Sequence, residues 1–249
     1  MKKASIFALL ITAAIAASAQ GADGKVDSAT VIVGRYLAMQ DFNKLRKDSI
    51  LYMETYIYYR SKPTDTAVLK RWFLPPNSFR AELWHGDTLL EGCYTDGKRI
   101  YREYNPKMKV GWIGVTPDHY YDIDYQYDIR EELYKWEAEA ATLVYKGEWD
   151  FNGNKVYRIL KETPERYNKY YLFEKESGLL FLIEESNERS EYANHTVYSH
   201  ADWHAYHEFQ PVGNVLIPSV ESYQTGNDIV YHFTHFKYLP LDRQIFQKD

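Results

Sequence analysis

The feature that most constrains this chain is a succession of strand-length segments between Ser49 and Tyr238. They are rich in tyrosine, tryptophan and branched aliphatic residues, which favour β-strands. Successive side chains of a strand point to opposite faces. In the first segment one face therefore carries Leu51, Met53, Ile57 and Tyr59, and the other carries Ile50, Tyr52, Tyr56 and Tyr58. Because both faces are apolar, we expect the sheet to be covered on both sides or to enclose a ligand.

Turn residues separate these segments at the short intervals that are typical of antiparallel neighbours. Asp96-Gly97 is a dipeptide that tight hairpins prefer, and Asn152-Gly153 is another. The segments together predict about eleven strands. We find no internal repeat and no low-complexity linker, so we predict a single domain over residues 20–249.

Two segments of the chain predict helices. Asp27 or Ser28 can cap a helix that runs to about Lys47. Its apolar residues share one face: Ile32, Val33, Tyr36 and Leu37. The charged segment 117–141 predicts one or two further helices, whose natural place is over the sheet. The fold class is therefore mainly β, of the α+β kind.

The N-terminus has the pattern of a secretory signal peptide. Lys2 and Lys3 precede an apolar stretch that is too short to span a bilayer, and Ala17-Ser18-Ala19 has the small residues of a cleavage site. We predict that residues 1–19 are removed and that the product is exported to a periplasm. A retained membrane anchor is the alternative. The cleavage point has no cysteine to carry a lipid, so we expect a soluble product.

Charge and cysteine content exclude some classes of protein. The formal net charge is −5 at pH 7 and no basic patch is visible, so we predict no nucleic-acid partner. Cys93 is the single cysteine, so an internal disulfide is impossible. Its strand-like surroundings favour a small buried side chain over a nucleophile.

The histidines of the C-terminal third are candidate metal ligands. His195, His200, His204 and His207 lie close together in the sequence, with Asp202 among them. On a helix, His200 and His204 would stack as metal ligands do. The flanking residues are typical of a strand, in which these two histidines lie about 13 Å apart. We therefore predict a hydrogen-bonded strand and no metal.

No catalytic motif stands out. The chain lacks a nucleophile elbow, a phosphate loop, a dinucleotide-binding glycine pattern and an H-E-x-x-H sequence. Asp and Glu residues are plentiful, so a catalytic carboxylate pair for glycoside hydrolysis stays an alternative. The sequence indicates no particular pair. Aromatic residues could stack on sugars, although core packing is their commoner role. We predict no catalytic residue and no cofactor.

Several short motifs follow one another in a characteristic order. They are Arg35-Tyr36-Leu37, residues 71–82 with their central Pro75-Pro76, the hairpin 95–101, Tyr170–Phe173 with Ser177–Leu179, residues 212–218, and Leu241-Asp242 with Phe246. In this order they resemble the periplasmic lipoprotein-carrier family, the LolA/LolB-like outer-membrane lipoprotein-sorting proteins. The chain departs from the family pattern at Glu174 and Lys175, and Leu180 stands where proline is usual. Arg71 and Arg80 are candidates, by strand order, for the family's latch arginine.

The resemblance implies an incomplete antiparallel β-barrel with helices plugging its open side. It implies that acyl chains of lipoproteins or other amphiphiles bind between sheet and helices. We therefore predict a non-catalytic carrier or sensor with lipoprotein or lipid cargo and transport partners in the inner or outer membrane. The candidate cavity residues are Leu51, Met53, Ile57, Tyr59, Trp72, Phe79, Leu83, Leu180 and Leu182.

Two other functions stay open at this point. One is an envelope adaptor, in which the tyrosines of the second strand face would form a docking surface. The other is a carboxylate-dependent hydrolase of surface polymers. An apolar hollow would favour the carrier, whereas an open cleft with clustered carboxylates would favour the hydrolase.

Overall fold

The computed structural model of the protein describes residues 28–95, 100–104, 132–163, 168–185, 203–225 and 228–247. The predicted signal peptide, 1–19, lies outside these ranges, as do His195, His200 and Asp202. The chain divides into two compact units. The helix unit comprises Met1–Met39 and Lys135–Trp203, and the strand unit comprises Gln40–Tyr134 and His204–Asp249. The single domain over residues 20–249 stays a prediction.

The described residues are mainly β-structure, as the sequence predicts. The strands are β1 Ser49–Tyr59, β2 Lys62–Leu74, β3 Ser78–His85, β4 Thr88–Thr95, β5 Ile100–Tyr104, β6 Thr142–Phe151, β7 Asn154–Glu162, β8 Lys169–Glu174, β9 Leu180–Glu185, β10 Trp203–Val212, β11 Val215–Thr225 and β12 Asp228–Pro240. The helical elements are the α-helix α1, Ser28–Met39, and three 3-10 turns, Phe42–Lys44, Glu132–Lys135 and Arg243–Phe246.

The strand unit contains eight strands in the order β5-β4-β3-β2-β1-β12-β11-β10. All described neighbours are antiparallel. Leu51 lies opposite Phe73 on β2 and opposite Tyr238 on β12. Directly opposite residues share a face of the sheet. We call the two sides of this sheet the Leu51 face and the Tyr52 face, after adjacent residues of β1.

The Leu51 face carries the main hydrophobic core of the strand unit. Its buried members come from six strands and the segment before β1: Phe42, Leu45, Leu51, Met53, Ala67, Leu69, Phe73, Phe79, Ala81, Leu83, Cys93, Val212, Val215 and Ile217. The ring of Phe42 meets that of Phe73 edge-on, with centroids 5.9 Å apart. Cys93 is buried here with a reduced thiol, as its strand context predicts.

The Tyr52 face has a smaller apolar cluster at one end of β1. Ile50, Leu74 and Phe246 are its buried members, and Trp72 packs against them. Phe246 comes from the last 3-10 turn, which Asp242 caps by accepting a hydrogen bond from the backbone nitrogen of Gln244 at 2.9 Å. This C-terminal turn therefore covers part of the face that would otherwise meet solvent.

The helix unit contains α1 and four strands in the order β9-β8-β7-β6, and α1 contacts β6. Val33 and Tyr36 are buried, as their predicted shared face requires. The Tyr36 ring meets Phe173 of β8 edge-on at 5.4 Å. The helix ends at Met39 instead of about Lys47. The side chain of Asp41 accepts a hydrogen bond from the backbone nitrogen of Asn43 and starts a 3-10 turn, which competes with a continued helix.

Two turns of the helix unit contain residues with positive φ, and the first of them confirms the sequence prediction. Asn152 and Gly153 have φ values of 52° and 86°, the left-handed pair that a two-residue hairpin between β6 and β7 requires. Gly178 has φ 74°, and a Cβ there would lie 3.0 Å from the Cδ atom of Arg35. Glycine at 178 therefore permits both the turn and the close approach of α1.

The predicted helical segment 117–141 is described only from residue 132 onward. There it forms the 3-10 turn Glu132–Lys135 and then turns, because Ala140 adopts a left-handed φ of 52°. Glu139 from this segment forms an ion pair with Lys161 on β7, at 2.6 Å between Oε2 and Nζ. Over the residues described, no helix has the length and apolar character needed to cross a bilayer.

Candidate functional site

The candidate site is the Leu51 face of the strand unit, which has an apolar part and a polar part. The apolar part is the core described above. The polar part, which we call the polar cluster, comprises Thr55, Arg71, His204, Tyr206, Glu221, Tyr223, His232 and Thr234. The two parts adjoin, since Thr55 follows Met53 by two residues on β1, and Ile57 lies directly opposite His232.

Four of the predicted cavity residues, Leu51, Met53, Phe79 and Leu83, belong to the single core of this face. Ile57 is partly buried and packs against it. These residues come from β1 and β3, with β2 between them. The period-two pattern of each strand thus puts the predicted apolar residues on one continuous surface.

Tyr59 lies at the far end of β1 from the core. It is half-buried, opposite Val230 of β12 on the Leu51 face. Burial raises the pKa of its hydroxyl, as does the negative charge of Asp228. Tyr59 therefore belongs to the end of the face where the polar cluster lies.

Three predicted cavity residues do not belong to this surface. Trp72 lies opposite Tyr52, and the two rings are 5.2 Å apart on the Tyr52 face. Strand alternation gives the reason, because Trp72 neighbours Phe73 and must point to the other side. Leu180 and Leu182 are buried in the helix unit, opposite Phe173 and Leu172. We restrict the candidate site to the residues of the strand unit.

The first part of the polar cluster is a chain of hydrogen bonds that starts at Arg71 on β2. Arg71 donates from Nη2 to Oγ1 of Thr55 at 2.9 Å. The Thr55 hydroxyl is also 2.9 Å from the hydroxyl of Thr234, which lies opposite on β12. Both threonines are buried. Burying a hydroxyl group costs free energy unless it is hydrogen-bonded. The hydroxyl groups of Thr55 and Thr234 therefore depend on neighbouring strands for their hydrogen-bond partners.

The second part of the polar cluster joins β10 to β11. Oε2 of Glu221 is 2.9 Å from Nε2 of His204, and Nδ1 of His204 is 3.2 Å from the hydroxyl of Tyr206. The side chain of Glu221 is 14% exposed and that of His204 is 32% exposed. The carboxylate is therefore largely shielded from water but within reach of a ligand.

Aromatic side chains flank Glu221 on both neighbouring strands, since Tyr206 lies opposite it on β10 and His232 lies opposite it on β12. The His204 ring stacks on Tyr206 at 4.4 Å and meets Tyr223 edge-on at 5.5 Å. Tyr223 in turn meets the ring of His232 at 4.7 Å, and its hydroxyl is 2.5 Å from Nε2 of His232. Four rings from three strands thus lie next to one carboxylate.

The electrostatics of the polar cluster keep Glu221 ionised. Burial opposes the charge, but the hydrogen bond and the charge of His204, with the charge of Arg71, lower the pKa of Glu221 to about 2. Burial lowers the pKa of His232 to about 3, against the attraction of Glu221. Burial and the charge of Glu221 raise the pKa of Tyr223. At neutral pH the polar cluster therefore holds an anion, the Arg71 cation and a neutral His232.

Sequence reasoning found only part of the polar cluster. The sequence offers His204 as a candidate metal ligand within a predicted strand, and β10 confirms the strand. The alternation along β10 also places His204 and His207 on different faces, and His207 Nε2 is 2.7 Å from the Ser222 hydroxyl. In the described part of the chain, no three His, Cys, Asp or Glu residues come together as a metal site.

The pairing of His204 with Glu221 is visible only in the register between β10 and β11, where two shifts occur near Tyr206 and Glu208. The sequence does contain two alternating polar–aromatic patterns, His204-x-Tyr206 in β10 and Glu221-x-Tyr223 in β11. A turn at Gly213-Asn214 joins these two strands. Without the register, the alternation does not say which polar residues meet.

The face as a whole combines chemistry suited to an amphiphile. Its apolar part favours hydrocarbon, and its polar cluster offers both charges together with hydrogen-bonding groups. Shielding charged groups from water costs free energy, and a core built only from apolar side chains avoids that cost. Such groups are therefore candidates for ligand recognition.

No protein-family model matches the sequence, and no curated protein matches it either. Solved structures do match. A LolA superfamily protein from Nitrosomonas europaea is 11% identical with a TM-score of 0.51, covering 90% of this chain and 99% of that one. A domain described as an outer membrane lipoprotein-sorting protein from Vibrio parahaemolyticus is 10% identical, TM-score 0.53, covering 87% and 95%.

A DUF1329 family protein from Desulfovibrio piger is 9% identical with a TM-score of 0.54, and the match covers 89% of this chain and 98% of that one. Identities this low show the fold alone. The fold is LolA-like: an incomplete antiparallel β-barrel with an α-helix, as the order of the sequence motifs predicts.

Proposed function

We propose that this protein is an exported, periplasmic carrier or sensor that binds the acyl chains of lipoproteins or other amphiphiles on the Leu51 face. The observation that carries the proposal is the union, on one face, of the predicted apolar residues with an adjoining polar cluster. Binding involves no catalytic step. Delivery would use transport partners in the inner or outer membrane.

The affinity would come from removing the acyl chain from water. Each buried methylene contributes about 0.8 kcal/mol. A long acyl chain therefore supplies enough free energy to offset the loss of translational and conformational freedom on binding. The LolA-like fold supports the proposal, because an incomplete barrel leaves one sheet face to be covered by another element or by a ligand.

The apolar part of the face is closed in the described state, and binding would have to open it. Leu51, Met53 and Phe73 are each at most 1% exposed. The 3-10 turn Phe42–Lys44 supplies part of the cover through Phe42, and Leu45 follows it. We propose that this short segment moves when the chain enters, with closed and open states differing by a few kcal/mol.

Native mass spectrometry tests the proposal on protein purified from its own host. We expect a co-purifying amphiphile that organic extraction releases. The stripped protein should then bind a fluorescent fatty acid. Absence of a bound amphiphile together with failure to bind the fatty acid would refute the carrier function.

Adjacent residues of β1 provide a matched pair of variants for the same assay. Ile57→Glu places a charge on the Leu51 face, whereas Tyr56→Glu places it on the Tyr52 face. We expect I57E to weaken fatty-acid binding at least about tenfold and Y56E to leave it near the wild-type value. Equal effects of the two variants would contradict binding on the Leu51 face.

A further inference from the structure

The polar cluster has two opposite charges on strands that are not neighbours. Arg71 is on β2 and Glu221 is on β11, with β1 and β12 between them. Neighbouring strands lie about 4.8 Å apart, so the backbones of β2 and β11 are about 14 Å apart. Arg71 reaches towards Glu221, since its Nη2 donates to Thr55 on β1. The two charges therefore share the Leu51 face but are separated along it by two strands.

The surroundings of Glu221 are those of an ammonium site. The hydrogen bond from His204 engages Oε2, and the Glu221 side chain is 14% exposed. The rings of Tyr206 and Tyr223 flank His204 at 4.4 and 5.5 Å. A carboxylate beside aromatic rings attracts an ammonium group both by its charge and by cation–π interaction.

The surroundings of Arg71 suit an anion. Its guanidinium group is a fork of N–H donors that matches phosphate geometry. Arg71 lies opposite Met53, so an anion held there would be next to the apolar part of the face. An amphiphile that placed its tail on that part would bring the first group of its head to Arg71 and a more distant group to Glu221.

We propose that the polar cluster binds a zwitterionic head group, with a phosphate held by Arg71 and a terminal ammonium held by Glu221 and the neighbouring rings. The ligand class is a phosphoethanolamine-type acylated lipid. This inference rests on the proposed function and makes it more specific, because it names the head group of the amphiphile that the Leu51 face would carry.

The test compares two lysophospholipids with the same acyl chain, one with an ethanolamine head and one with a glycerol head. Each competes with a fluorescent fatty acid on the stripped full-length protein. We expect the ethanolamine lipid to bind at least about tenfold more tightly, which corresponds to about 1.4 kcal/mol. Free phosphoethanolamine, added alone, distinguishes recognition of a lipid head from recognition of the soluble compound, and it should compete weakly.

The variant Glu221→Gln keeps the side-chain shape and removes the charge. We expect it to abolish the preference for ethanolamine, so that the two lipids bind within about twofold of each other. Glu54→Gln is the matched control, since the Glu54 carboxylate also accepts hydrogen bonds from aromatic side chains but lies on the Tyr52 face. Arg71→Gln should weaken both lipids equally. If E221Q does not fold, Tyr206→Leu replaces it, with the same expected loss of preference.

The outcomes separate this inference from the proposed function. Equal binding of the two lipids by the wild-type protein would overturn the zwitterion site and leave the carrier function standing. A preference that survives both E221Q and Y206L would also overturn it. Failure of every lipid and of the fatty acid to bind would refute the carrier function itself.

Discussion

The two faces of β1 are built from similar residues but are held together in different ways. On the Tyr52 face, Glu54 accepts hydrogen bonds from the hydroxyl groups of Tyr52 and Tyr56, each two residues away on the same strand. On the Leu51 face, Thr55 bonds to Thr234 and Arg71, which belong to other strands. One face is organised by local contacts and the other by the assembly of the sheet.

The difference extends to the charges. Lys237 lies 4.8 Å above the Tyr52 ring, so an exposed cation from the neighbouring strand covers a buried aromatic side chain. On the Leu51 face, Glu221 is shielded and flanked by rings. The comparison teaches that a charge next to aromatic residues is ordinary surface chemistry on one face and a candidate binding site on the other.

Truncation of a core ring should have the largest effect. Phe73→Ala removes a buried ring from the Leu51 face and should lower the free energy of unfolding by about 3–5 kcal/mol. Trp72→Ala, the adjacent position on the Tyr52 face, removes a half-buried ring and should cost less. Urea denaturation of both variants measures the two losses. A larger loss of unfolding free energy for W72A than for F73A would contradict the assignment of the main core to the Leu51 face.

Acidification should lower the stability of the folded protein through His232, at a higher pH than that at which the carboxylates titrate. The pKa of His232 falls from 6.5 to about 3 in the folded protein, so between these values the unfolded chain binds a proton that the folded protein does not. Stability is therefore lost as pH falls through this window, by at most about 1.4 kcal/mol per pH unit. Between pH 6.5 and 4.5 we expect a loss of about 2 kcal/mol.

Thermal melting across that pH range measures the loss. His232→Gln should flatten the dependence, whereas His235→Gln, an exposed position on the Tyr52 face, should keep it. Below pH 4.5 Glu221 adds a second loss, because its lowered pKa gives stability that is present above 4.5 and disappears as pH falls towards 2. An unchanged slope in H232Q would show that His232 is not the group responsible.

The threonine pair should show coupling between strands. Thr55→Val leaves the buried Thr234 hydroxyl and the Arg71 donor without that acceptor, and should cost about 1–3 kcal/mol. Thr234→Val should cost about 1 kcal/mol. The double variant should cost less than the sum, since the second replacement removes the hydroxyl that the first left unsatisfied. Additive losses in denaturant titrations would argue that the two hydroxyls act independently.

The smallest effect is expected on the Tyr52 face. Tyr56 is 37% exposed, and its hydroxyl donates to Glu54, which also accepts from Tyr52. Tyr56→Phe should change the free energy of unfolding by less than about 0.5 kcal/mol, as surface substitutions generally do. The same denaturant titration checks this value. A loss as large as that of T55V would remove the distinction between the two faces.

Much of the fold could be predicted from local sequence. The alternation in β1 identified the residues of each face, and Asn152-Gly153 identified a hairpin whose φ values are positive. The candidate site was harder to predict. The sequence predicts Trp72 among the cavity residues, and its pairing with Tyr52 shows that it lies on the other face.

Local sequence is enough to predict the strand segments, their turns and the apolar side of β1, because these depend on residues that are near one another in the chain. The contacts of Glu221 with His204 and of Arg71 with Thr55 depend instead on how the assembled strands pair. Strand register brings such residues together, and a shift of one residue would turn each side chain to the other face. The polar cluster therefore exists only once the sheet has assembled.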